Sequence, residues 1–129
     1  MSGEGAPVRS YRDLIAWKAA MGLAERIYAL SATLPGDERF GLVQQLRRSA
    51  ISIPSNIAEG HARGATKDFG RFISISRGSL AEVETQLEMC LRLGMLGKES
   101  VADVLASCDE LGRILTGLRK SLDSKLAQS

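Results

Sequence analysis

Residues 101–122 read VADVLASCDELGRILTGLRKSL, and their apolar members Val101, Val104, Cys108, Leu111, Leu115, Leu118 and Leu122 fall at alternating intervals of three and four. That period lays one apolar stripe along a helix rather than the alternating faces of a strand. Upstream, the same rhythm carries Phe69, Ile73, Ser76, Leu80, Val83, Leu87 and Cys90 up to Gly94, with Thr66 as the expected N-cap. Gly97 precedes the last segment, whose Lys120 and Lys125 suit the negative pole of a helix. A second segment holds Leu42, Leu46, Ala50, Ile53 and Ile57 and runs to Gly60. The first offers two apolar rows: Leu14, Trp17, Met21, Ala24, Tyr28, and beside it Ala20, Leu23, Ile27, Leu30, Leu34. Ser10 and Asp13 resemble a capping box at its start. Pro35-Gly36-Asp37 ends it, with Asp37 the expected cap of the second helix.

Each segment spans about 22–28 residues, which is roughly 33–42 Å of helix. Breaks of a few residues force neighbours to run antiparallel. The expected fold class is therefore all-α, an antiparallel up-down-up-down four-helix bundle over residues 10–127, with residues 1–9 a loose tail. A chain of 129 residues with 5% aromatics and three prolines agrees with one helical domain and argues against a β-sandwich. No apolar run approaches the ~20 residues of a membrane span. The start MSGEGAPVRS has no apolar signal core, so a cytoplasmic protein without membrane contact is expected.

The single histidine, His61, limits the chemistry. A di-iron bundle site needs a Glu-x-x-His pair from each of two helices, and His/Cys zinc sites lack ligands. No G-x-S-x-G elbow, Walker loop or G-x-G-x-x-G is present. The expectation is a protein that is not an enzyme and uses no cofactor or metal. In an antiparallel third and fourth helix, Cys90 faces position 102 and Cys108 faces position 84. The six-residue mismatch is about 9 Å of rise, too far for a disulfide, so both are expected as buried thiols.

Residues 44–60, QQLRRSAISIPSNIAEG, break the ordinary pattern. Pro54 sits within an apolar repeat, where it removes a donor and crowds the Ala50 carbonyl, so a kink or local restart is expected. Ser52, Ser55 and Asn56 can satisfy backbone groups freed there. Asn56 and Glu59 lie where a burial stripe meets a polar face. They are either part of a bridging polar network with Arg71 or Arg77, or a solvated helix end.

The run RRSAISIPSNIAEGHAR, from Arg47 to Arg63, resembles the signature of the bacterial four helix bundle protein family. That family was first noted as the protein encoded in intervening sequences of large-subunit ribosomal RNA, and it includes the accessory variability proteins of diversity-generating retroelements. The resemblance extends to DLIAWKA at 13–19, Tyr28, Leu34-Pro35, ERFGL at 38–42 and RGSLAEVETQL at 77–87. It implies a four-helix protomer assembling into a homopentameric ring. For the retroelement branch it also implies binding to nucleic acid and to a partner reverse transcriptase.

Net charge is +2, but residues 8–78 hold eleven Lys/Arg against six Asp/Glu, whereas residues 79–129 hold six against eight. Arg47, Arg48, Arg63, Lys67 and Arg71 are the candidates for contact with DNA or RNA phosphates. Pro54, Asn56, Glu59 and Arg77 are the candidates for a structural network or subunit interface. The alternative for the cations is a solvated face with pairs such as Glu59–Arg63. Trp17, Phe69 and Phe72 are committed to packing, so no base-stacking set remains and contact would be non-sequence-specific. Glycines within helices, namely Gly22, Gly70, Gly78, Gly112 and Gly117, point to close helix approach, with local looseness the alternative at Gly112 and Gly117. The function expected is a homo-oligomeric scaffold that binds nucleic acid through a basic face. The alternative is an interaction module that binds an acidic protein partner and no nucleic acid.

Overall fold

The computed structural model describes residues 8–38 and 40–128. Residues 1–7 of the expected tail, and Arg39, lie outside that range. The described residues form no strand. They build α1 (Ile15–Ser31), α2 (Leu42–Ala62), α3 (Thr66–Arg92) and α4 (Lys98–Ala127), with single 3-10 turns at Tyr11–Asp13 and Gly36–Glu38.

The helices are less evenly matched than their apolar rhythm suggests: α1 has 17 residues, α2 21, α3 27 and α4 30. The capping box at Ser10 is present, but it closes the 3-10 turn rather than α1. Ser10 Oγ accepts from Arg12 N at 3.1 Å, and Asp13 Oδ2 accepts from Arg9 N at 2.8 Å and Ser10 N at 3.2 Å. Those backbone donors hold the Asp13 carboxyl below the usual carboxylate range. Leu14 then turns extended, and α1 starts only at Ile15.

Two other caps differ from expectation. Asp37 lies in the second 3-10 turn, and α2 starts after Gly41 with Glu38 Oε1 accepting from Leu42 N at 3.3 Å. The N-cap of α3 is Ala65, and Thr66 is its first helical residue. Glycine in the left-handed region ends α2 and α3. Gly64 (φ +83°) follows α2, and Gly94 (φ +72°) follows α3. At Gly94 a full Schellman motif forms, with Gly94 N donating to Leu91 O and Met95 N to Cys90 O.

Each helix packs on its two neighbours in a closed cycle, α1 on α2 and α4, α3 on α2 and α4, and among the described residues the backbones of diagonal pairs stay more than 8 Å apart, Cα to Cα. This is the packing of an antiparallel up-down-up-down bundle. The α3–α4 register follows the sequence expectation, with Gly112 beside Leu80 and Arg119 against Gly70 and Ser74. The centre is filled by Ile27, Leu46, Ile53, Ile57, Ile73, Val83, Leu87, Val101, Leu111 and Leu115, all almost completely buried. Each such side chain contributes roughly 1.5–3 kcal/mol on burial. Cys90 and Cys108 are free and buried among them. In α1 the row of Ala20, Leu23 and Ile27 faces inward, and of the other row Ala24 is buried and Leu14 and Trp17 pack on the core, while Met21 and Tyr28 are exposed.

Candidate functional site

The two faces of α3 are built differently, and both carry residues of interest. Toward α2 the seam is lined by small polar side chains. Ser52 Oγ and Ser79 Oγ lie 2.7 Å apart, Ser76 Oγ donates to Ile53 O at 3.0 Å, and Gln86 Nε2 donates to Ser49 Oγ at 3.2 Å. Asn56 Nδ2 donates to Ser52 O at 2.8 Å and to Ser52 Oγ at 3.0 Å. The bridging network therefore exists, but serines on α3 complete it rather than Arg71 or Arg77. Glu59 stands apart from it, pairing with Arg63 at 2.9 Å on the surface.

Pro54 is buried, and α2 runs through it without the restart expected from its missing donor. Ser76 and Asn56 supply side-chain hydrogen bonds to the two carbonyls that precede it, at Ile53 and Ser52. The close approach in this seam is made by Gly60, which the sequence suggested as a helix end. A Cβ there would sit 2.5 Å from Phe72 Cβ.

The five cations chosen from sequence do not form one patch. Arg47 is tied down: its Nε donates to Ser31 Oγ at 2.8 Å, its Nη2 to Tyr28 O at 3.2 Å, and its guanidinium lies 4.7 Å from the Tyr28 ring centroid. It closes the last turn of α1. Arg48 beside it is exposed, in a groove with Tyr28, Phe40, Val43 and Ile51. Arg63 and Arg71 lie at the far end of α2, each 4.8 Å from the centroid of Phe72. The sixteen residues from Arg47 to Arg63 are about 24 Å of helix. Lys67 is exposed near that far end, and His61 packs edge-on against Phe69.

Toward α4, α3 borders an open groove of about 520 Å³ lined by Arg77, Arg113, Thr116 and Lys120, with Glu84 and Asp109 at its other end. Cys108 lies at its base. Burial, then the charges of Glu84 and Asp109, push that thiol up to about 12, so it is not a thiolate nucleophile near neutrality. Burial and Asp109 also raise the Glu84 carboxyl. Arg113 and Lys120 escaped the sequence reading because they sit in the acidic second half of the chain. Only the antiparallel pairing of α4 on α3 brings them to Arg77. Among the described residues no three His, Cys, Asp or Glu side chains are placed to hold a metal ion, and no helix is long and apolar enough to cross a membrane.

No curated protein sequence matches the chain. Among solved structures, a Bacteroides thetaiotaomicron protein of unknown function from the S23 ribosomal protein family is similar in fold. It has a TM-score of 0.76 and 24% identity over 82% of this chain and 99% of that one. The family model described as 23S rRNA-intervening sequence protein matches residues 12–117, most of the bundle, and the chain therefore belongs to that family.

Proposed function

We propose that the protein is a non-enzymatic, cytoplasmic four-helix scaffold that forms a homo-oligomer and binds DNA or RNA through phosphate contacts. The observation that carries this reading is its free positive charge. Arg48, Lys67, Arg77, Arg113 and Lys120 are exposed, and among the described residues none has a carboxylate within ion-pair distance. A ring of identical protomers, as the family resemblance implies, repeats such a patch around an axis and strengthens its field. Exposed apolar side chains such as Ile15 (73%) and Phe40 (78%) support assembly or docking, including docking to a reverse transcriptase partner.

Fluorescence anisotropy with duplex DNA and with RNA of arbitrary sequence, titrated with salt, tests the reading. Binding that weakens linearly on a log–log salt plot is expected. Absence of binding at low salt sinks it, and a monomer by light scattering sinks the assembly. One observation favours a second reading, a module for an acidic protein partner. Tyr28, Phe40, Val43, Arg48 and Ile51 line one groove, and aromatic side chains with arginine are the residues that dominate protein interfaces.

A further inference from the structure

The α3–α4 groove combines features that bundle packing does not require. Gly117 on its wall has nothing within 4 Å of where a Cβ would stand, nor does Gly78 on α3, and Gly112 would meet only Leu80 Cδ2, at 3.6 Å. A helical glycine costs roughly 1 kcal/mol against alanine. No close approach within the protomer explains the cost at Gly117 or Gly78. At Gly117 the absent side chain leaves the trough open instead. Its cations come from both walls, Arg77 from α3 and Arg113 and Lys120 from α4, and Thr116 adds a hydroxyl between the latter two. By contrast, the neighbouring Arg119 is consumed as a brace, donating to Gly70 O and to Ser74 Oγ and pairing with Asp123.

Seven residues separate Arg113 from Lys120, about 10.5 Å of helix rise, which is longer than a single phosphate group spans. The charges are spread along a line rather than gathered on one point, which suits an extended polyanion and not a single phosphate. Arginine forks on opposite walls fit phosphate oxygens. No aromatic side chain lines the groove, so it offers nothing for bases to stack on. Glu84 and Asp109 repel phosphates at the other end and set the limit of the track.

We propose that the α3–α4 groove is the phosphodiester-backbone site of this protein, with Arg77, Arg113 and Lys120 gripping successive phosphates of one strand of a nucleic-acid duplex. This rests on the nucleic-acid reading above and names its site, which includes none of the five cations picked out by sequence for phosphate contact.

The test is fluorescence anisotropy of the full chain with a labelled 20-bp duplex across a salt series, the fold of each variant being checked by circular dichroism. The triple variant Arg77→Ala/Arg113→Ala/Lys120→Ala should weaken binding at least ~30-fold and flatten the log–log salt slope by about 3. The control triple Lys18→Ala/Arg92→Ala/Lys98→Ala, three exposed cations outside the groove, should change affinity less than about threefold at the same salt. Gly117→Leu, which fills the trough and removes no charge, should also weaken binding. A groove triple that binds like wild type, or two triples that lose equally, would overturn the site while leaving nucleic-acid binding intact. Wild-type protein that fails to bind the duplex would overturn both. A groove that took poly-glutamate as tightly as the duplex would overturn the assignment to nucleic acid.

Discussion

Small residues serve opposite ends on the two sides of α3. Against α2, Gly60 lets Phe72 come so close that no Cβ fits, and serines bond across the seam. Against α4, Gly117 has nothing near it and the seam stays open as a charged trough. One side uses glycine to exclude volume and the other to leave it. The same residue type at helical spacing therefore carries no fixed meaning until its facing helix is known.

Adding one methyl on each side should separate the two uses. Gly60→Ala forces Phe72 and its helix outward and should cost about 1–3 kcal/mol, read as a fall in Tm. A neutral result would show that the α2–α3 seam is looser than drawn.

Raising pH tests the α3–α4 side. Cys108 ionises near the ordinary thiol value of 9.0 when unfolded, but burial pushes it up to about 12 when folded, so its neutral form is favoured in the native state. Stability should hold below pH 9 and fall between about pH 9 and 12, by up to about 1.4 kcal/mol per pH unit. Denaturant melts of wild type and Cys108→Ala should diverge across that interval. Identical alkaline profiles would remove the thiol from the account.

Ser76→Ala deletes the donor to Ile53 O beside Pro54 and should cost about 1 kcal/mol. The smallest expected shift has the opposite sign: Gly117→Ala, entering open space, should raise stability by up to about 1 kcal/mol. If Gly117→Ala destabilised as Gly60→Ala does, the contrast between the seams would collapse.

Where an apolar stripe was single, the sequence was enough. In α4, Val101, Val104, Cys108, Leu111, Leu115 and Leu122 are all buried at their read positions. In α1 two apolar rows lay side by side, and periodicity has no means of choosing between them. Tyr28 ended outside, where its ring and carbonyl receive Arg47. That bond joins residues 19 apart across a turn, so Arg47 read as a free cation. Asn56 and its neighbour Ser52 were legible as network candidates, but the far side of the network was not, since Ser79 meets Ser52 only through the α2–α3 pairing. The charge split along the chain misled for the same reason. Charges distant in sequence, at Arg77 and at Arg113 and Lys120, share one groove, so halves of the chain are the wrong units for an electrostatic argument.

The end of α4 has a consequence of its own. Leu122 is the last buried residue, and residues 123–128 are all exposed. Beyond Leu122 the described residues bury no side chain in the core, and the Asp123–Arg119 pair ties the first of them to the preceding turn. Amide protons there should exchange with solvent at nearly the rate of an isolated peptide, while those of 101–115 wait for the whole bundle to open.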